Sequence, residues 1–280
     1  MGSCRDENEN QGGINMAKIK MGLVQAPSAA NRETNVEMLL RFAQQARKEG
    51  CCCICFPEAF LTGYAPAYSA SQSISREDNL LNNVAEAAVR LGLDILVGFM
   101  EWDGEKYYLS MGIFLADGRR DFYRKTHLGE KERLYFTPGD VLPVYPLSCG
   151  ITAGIQMCVE AHYPEITQTL SLKGAQVVFA PHAVPRAAGD RKKIWEIYIP
   201  CRSYDNRVLM ACCNLWDEDR FSGGCLVTNE KGETIASCFE DAPALMTFEW
   251  DPDDLKKYRE KNSSPRYRYY PDRRCPELYK

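Results

Sequence analysis

A single α/β domain is what this 280-residue sequence predicts, and three observations carry that reading. Strand-like and helix-like segments alternate through both halves. The later part ends in a run of strands joined by Gly-containing turns, and no long polar Pro/Ser-rich stretch separates the segments into units. Helices covering a sheet are the simplest way for such a chain to bury its apolar faces.

The elements follow in order. Residues 1–16 are acidic and lack an apolar core, so they read as a disordered leader rather than a secretory signal, with Met16 as a candidate internal start. The domain then runs over 17–280, with a tail at about 263–280. KIKMGLVQA (18–26) alternates as a strand, and Pro27 stops it. From Thr34 to Lys48, Val36, Leu39, Leu40 and Ala43 fall at helical spacing. CCCICF (51–56) is a short apolar run ending at Pro57, a buried strand that presents Glu58 on a loop. Ser75 followed by Asp78 resembles a capping box opening a helix that carries Leu80, Leu81, Val84, Ala88 and Leu91. LDILVGF (93–99) and KYYLSMGIFLA (106–116) are strands, and Asp117-Gly118 turns the second back into RRDFYRK.

The second half repeats this style. GIQMC (154–158) is a strand, Pro164 to Lys173 a helix ended by Gly174, and QVVFA (176–180) a strand stopped by Pro181. Arg191 to Arg207 is a long amphipathic helix expected to kink at Pro200. VLMACC, GGCLVTN, GETIASC and ALMTFEW complete the run of strands. No short-period repeat is visible.

Composition excludes several classes. Apolar residues at 45% and charged residues at 26% are ordinary for a globular enzyme. Apolar runs such as ILVGFM fall far short of the ~20 residues that span a bilayer, so no membrane partner is expected. A net charge of −4 argues against nucleic acid, and the Arg/Tyr-rich RYRYYPDRRC (266–275) is one short segment. Thirteen cysteines, an odd number in a long chain, do not form a small disulfide framework. Cys52 and Cys55 have CxxC spacing, but no second pair completes a zinc site, and a metal-binding module remains the non-enzyme alternative. Cys51, Cys53 and Cys55 read instead as small hydrophobes alternating along a buried strand of a cytoplasmic protein.

Three strand ends carry polar residues that packing does not require: Glu58 after CICFP, Lys125 after DFYR, Cys158 after GIQM. Singly, each has a bland reading as a solvated carboxylate, a surface ammonium and a core thiol. Jointly they sit in FPEAFLTGY (56–64), YRKTHL (123–128) with YFTPGD (135–140), and GIQMCVEAHYPE (154–165). In order and spacing these segments resemble the glutamate, lysine and nucleophile motifs of the nitrilase superfamily of carbon–nitrogen hydrolases. YDNRVLMACCN (204–214) and GGCLVTNEKGE (223–233) resemble its later strands, and the likeness runs from about Lys18 to RRCPELY.

That resemblance implies a four-layer α-β-β-α sandwich and a Glu58–Lys125–Cys158 trio that opens amides through a thioester, with no cofactor and no metal. It implies a second glutamate at Glu132, with Glu130 the competitor, and a homodimer or larger assembly whose tails cross the interface. Val159, His162 and Tyr64 are the candidate substrate contacts, and His127 shapes the lysine loop. The expected substrate is a small aliphatic amide or ω-amide that releases ammonia or an amine. Nitrile or N-carbamoyl hydrolysis by the same trio is the alternative. Carbamoyl amino acids are disfavoured because Ala161 stands where such relatives carry arginine, and Val159 stands where nitrile-hydrolysing relatives carry tryptophan. A free thiol titrates near ~8.5, so Cys158 needs a base or a positive field, and it is expected to alkylate at lower pH than the 51–55 cysteines. A papain-like Cys–His pair would leave Glu58 and Lys125 unexplained. A non-catalytic descendant would not need all three residue types.

Overall fold

The computed structural model describes residues 18–259 and 274–278. Its first half runs β1 (Ile19–Gln25), α1 (Arg32–Lys48), β2 (Cys53–Cys55), α2 (Ser69–Gln72), α3 (Asn79–Leu91), β3 (Asp94–Trp102), β4 (Tyr107–Phe114) and β5 (Arg120–Arg124). The second runs β6 (Val144–Pro146), β7 (Thr152–Ile155), α4 (Pro164–Leu172), β8 (Val177–His182), α5 (Arg191–Asn206), β9 (Leu209–Asn214), β10 (Cys225–Thr228), β11 (Thr234–Cys238), β12 (Ala244–Trp250) and α6 (Pro252–Arg259).

Helix starts are set by short polar side chains. Asn31 caps α1 by accepting from the Thr34 amide, and Asp190 caps α5 through Lys193 N. At α3 the cap is Asp78, not Ser75: its side chain accepts from Leu80 N, while Ser75 supplies only its backbone carbonyl to Asp78 N. The α5 helix continues through Pro200. β8 continues through Pro181, contrary to the sequence expectation. The Phe179 carbonyl accepts from Gln156 N beyond β7, and Pro181, two residues on, faces the same side where β7 has already ended. No ladder donor is lost there.

Two six-stranded sheets form, ordered β12-β1-β2-β3-β4-β5 and β11-β10-β9-β8-β7-β6. Each has three parallel strands (β1–β3, β7–β9) with antiparallel strands on both sides. The halves therefore share one topology, a long-period repeat that side-chain identities do not display.

Alternation along the strands builds the layers. Leu23, Leu96 and Met111 of one sheet meet Ile155, Phe179, Leu209 and Val227 of the other. Their neighbours Val24, Ile54 and Val97 face Val36 and Leu39 of α1 and Leu81 and Val84 of α3. On the far side, Val178, Met210 and Leu226 face Leu170 of α4 and Trp195 and Ile199 of α5. The order is α-β-β-α, as expected. Each fully buried aliphatic side chain contributes about 1.5–3 kcal/mol relative to exposure, so three such interfaces dominate the stabilisation. Cys53 and Cys55 do face the inter-sheet core, but Cys51 precedes β2 and packs on the helix side. Among the described residues no helix is long and apolar enough to cross a membrane.

Candidate active site

The site lies where loops leave β2, β5 and β7. Glu58 follows Pro57 on a loop pressed against Gly98 of β3. A Cβ at Gly98 would overlap Ala59 N, Pro57 O and Glu58 Cα, so only glycine lets the loop seat there. The next residue, Ala59, has φ 52°, a left-handed conformation that costs a non-glycine residue on the order of 1–3 kcal/mol.

Lys125 leaves β5 with its amide on Leu109 O (2.8 Å) and its carbonyl on Gly139 N (2.8 Å). The YFTPGD segment thus clamps the lysine from outside. Inside, Lys125 Nζ donates to Glu58 Oε1 at 2.7 Å and to Glu132 Oε1 at 2.9 Å, and all three side chains are buried. Glu132 is held in turn by Tyr64 OH (2.7 Å) and Gly129 N (2.6 Å). The competitor Glu130 is exposed, so Glu132 is the carboxylate on Lys125.

Cys158 opens a single 3-10 turn, Cys158–His162, with φ 50°. The Ala183 amide reaches its sulfur from the loop after β8. The Cys158 thiol also lies close enough to Glu58 to favour the carboxylate, whose Oε2 is buried without a hydrogen-bond donor. Among the described residues the Val159 N–H has no acceptor, as befits the first turn of a helix.

Burial pushes Glu58 up to about 7; Lys125 opposes the rise and Glu132 adds to it. Burial, reinforced by Glu58 and opposed by Lys125, pushes Cys158 up to about 12. For Lys125, burial alone would lower the pKa, but Glu58, Cys158 and Glu132 together hold it above the usual lysine range. The resting cluster is therefore a thiol, an ammonium and a carboxylate poised near neutrality. Burial also raises the thiols of the 51–55 run, Cys51 to about 11, Cys53 well above the ordinary thiol range and Cys55 in the same direction.

The other candidates divide. Tyr64 donates its hydroxyl to Glu132, feels the charges of Glu58 and Cys158 as well, and sets its ring edge-on to Phe221. His162 is exposed and stacks on Tyr198 at 4.5 Å, without a hydrogen bond from its ring to the trio. His127 stacks on Tyr163 and its Nδ1 meets Thr126 Oγ1 at 2.8 Å, which fits a loop-shaping part.

Sequence reasoning missed the part played by Glu160. Its buried Oε1 accepts from Tyr123 OH (2.7 Å), Thr126 N (2.7 Å), Thr126 Oγ1 (2.7 Å) and His127 N (3.2 Å), and its Oε2 from Met157 N (2.6 Å). One carboxylate ties the residues after Lys125 to the residue before Cys158. The available signal was a Glu at the third position of a turn, where it can reach back to the preceding amide.

Among the described residues, no group of three or more His, Cys, Asp or Glu side chains is disposed to hold a metal ion. A buried carboxylate, ammonium and thiol can instead perform acyl transfer, with proton shuttle, oxyanion donor and nucleophile in one pocket.

Comparison with known proteins gives the family and the fold. The carbon–nitrogen hydrolase family model matches residues 20–260. A glutamine-dependent NAD(+) synthetase from Thermotoga maritima is 30% identical over 93% of this chain, which spans only 46% of that enzyme's length. A nitrilase from Pyrococcus abyssi is 27% identical over 83% of this chain and 90% of its own. Among solved structures, a mutant of the Nesterenkonia AN1 amidase from the nitrilase superfamily superposes with a TM-score of 0.80 at 22% identity, covering 95% of this chain and 98% of that one.

Proposed function

The chain belongs to the carbon–nitrogen hydrolase family, and from that premise we propose that it hydrolyses a small aliphatic amide or ω-amide through a thioester on Cys158. The observation that carries this reading is the buried Glu58–Lys125–Glu132 ion cluster beside the Cys158 thiol. Cys158 Sγ attacks the amide carbon while its proton passes to Glu58 Oε2. The carbonyl π electrons move onto oxygen, where Lys125 Nζ and the unoccupied Val159 N–H stabilise the oxyanion. Collapse breaks the C–N bond, and Glu58 returns the proton to the leaving nitrogen as ammonia or amine. Glu58 then takes a proton from water as it attacks the thioester, and a second collapse releases the carboxylic acid and restores the thiol. Glu132, fixed by Tyr64 and Gly129, keeps Lys125 charged and oriented.

A nitrile would enter the same site, but its thioimidate must take up water and protons before ammonia leaves. An amide gives at once the oxyanion that Lys125 is placed to meet. A short aliphatic amide is expected to show kcat/KM at least ~10-fold above its matched nitrile, about 1.4 kcal/mol of transition-state stabilisation. Steady-state ammonia release from one matched pair decides this, and equal or faster nitrile turnover moves the assignment to nitrile hydrolysis.

The twelve cysteines among the described residues are free thiols, which supports a reducing, cytoplasmic compartment. Self-association is also part of the proposal. Tyr163, Leu172, Ile197 and Tyr204 on or beside α4 and α5 are exposed, Ile197 by 72%, which supports a contact face there. The tail expected to cross that interface lies largely outside the described residues. Sedimentation at micromolar concentration should return a dimer or larger species, and a monomer rejects the assembly.

A further inference from the structure

β2 and β7 are equivalent strands of the two halves, and they meet across the inter-sheet core, where Cys53 and Cys55 share one apolar cluster with Ala153 and Ile155. The loops that leave these strands converge at Glu58 and Cys158. The chain entering them converges as well, and at that end the meeting residues are both cysteines. Cys52 leads into β2, and Cys149 sits in the Leu147–Gly150 turn that leads into β7.

Asp94, the buried first residue of β3, fixes this second meeting. Its amide donates to Cys52 O (3.0 Å), its Oδ2 accepts from Ser148 N (2.8 Å) and its Oδ1 from Ala116 N (2.8 Å). One residue thus holds the backbone at Cys52 and the backbone next to Cys149. The two thiols lie within hydrogen-bonding reach of each other, and both side chains are half-buried against the same core cluster.

The contact is asymmetric. Cys149 accepts from the Cys52 thiol and from the Ile151 amide, and these donors hold it below the ordinary thiol range against burial and the charge of Asp94. Cys52, on the donating side, is held above that range. The proton therefore belongs to Cys52 and the nucleophilic character to Cys149. Cys55 and Cys213 form another thiol contact, but both are fully buried, out of reach of a dissolved oxidant.

We propose that Cys149 and Cys52 form a peroxide-oxidisable dithiol, Cys149 attacking and Cys52 resolving, which closes into a disulfide that staples the two sheets together. The Cys149 thiolate attacks one peroxide oxygen: an S–O bond forms, the O–O bond breaks, and the departing hydroxide takes a proton from solvent to become water. The Cys52 sulfur then attacks the sulfenic sulfur of Cys149. The S–S bond forms, the S–O bond breaks, and the hydroxide leaves with the Cys52 proton as a second water. Two thiols lose two electrons, and one hydrogen peroxide is reduced to two waters. Redox-sensing disulfides of this kind occur in otherwise reducing compartments. The bridge lies at the ends of β2 and β7 opposite Glu58 and Cys158, so it does not depend on the hydrolytic reading.

The test treats the full-length protein with stoichiometric hydrogen peroxide, blocks remaining thiols with iodoacetamide, and maps peptides without reduction. A Cys52–Cys149 cross-link within one chain is expected, reversed by dithiothreitol and formed equally in Cys158→Ala. The bridged protein should melt roughly 5–10 °C higher, because the bond closes a loop of about 100 residues. Cys52→Ser should stop at a Cys149 sulfenic acid that dimedone traps, and Cys149→Ser should form neither product. The wild-type digest decides the question even without these variants. Cys149 oxidised but unbridged, bridged to Cys53 instead, or left as a thiol while Cys201 or Cys275 is oxidised overturns the proposal. A bridged form that melts no higher than the reduced one overturns the staple.

Discussion

Cys158→Ala should lose at least ~10⁴ of kcat/KM on every substrate the wild type hydrolyses, about 5.4 kcal/mol of transition-state stabilisation, without losing its fold. No other thiol can substitute, because the remaining cysteines of the described residues lie outside the Glu58–Lys125 pocket and six of them are buried in apolar layers. The same cluster sets a pH profile. Glu58 must be a carboxylate to accept the thiol proton, and its pKa is raised to about 7, chiefly by burial. Activity is thus lost as pH falls through 7, and kcat/KM should drop about tenfold per unit below that point. Because Cys158 keeps its proton up to about 12, no second rise from a thiolate is expected in the ordinary alkaline range. Near-wild-type turnover in Cys158→Ala, or a flat profile between pH 5 and 7, would reject the covalent mechanism with Glu58 as base.

Which parts of this were legible in the sequence depended on the range of the interaction. Glu58, Lys125 and Cys158 each end a strand whose pattern is local, so their positions could be read from short segments. The second glutamate was legible only through the family resemblance, which favoured Glu132 over Glu130, and the contact with Lys125 is what separates the two. The alternation of strands and helices was also local, whereas the pairing of β1 with β12 joins residues at opposite ends of the domain, Ile19 with Trp250. Such register is set by tertiary packing that no short window contains. β6 has three residues, and α2 has four, too short for a periodic signal. Pro181 misled because its position relative to the end of β7 was invisible.

Glu160 was hidden for a related reason, since most of its donors come from the 123–127 segment, more than thirty residues away along the chain. Replacing it with glutamine tests how much of the site depends on that one carboxylate. Glutamine keeps one acceptor oxygen and puts an NH₂ in place of the other. If the oxygen stays with Tyr123, Thr126 and His127, the NH₂ points at the Met157 amide, so that two donors face each other in a buried space. If the group flips, the lysine-loop donors are stranded instead. Either way a charge-assisted contact is lost and a buried donor is left unsatisfied, together about 3 kcal/mol. For a domain of this size that corresponds to a melting temperature lower by roughly 6–12 °C. Activity should fall further than stability accounts for, because Thr126 adjoins Lys125 and Met157 adjoins Cys158. A displacement of about 1 Å between nucleophile and oxyanion donor is enough to remove ~100-fold in kcat/KM at temperatures where the variant remains folded. Tyr123→Phe, which removes one donor and leaves the carboxylate, should lose far less activity. If Glu160→Gln melts within about 2 °C of wild type and keeps more than a third of its kcat/KM, Glu160 does not hold the two loops in register, and the alignment of Lys125 with Cys158 must come from the Gly98 and Gly139 contacts alone.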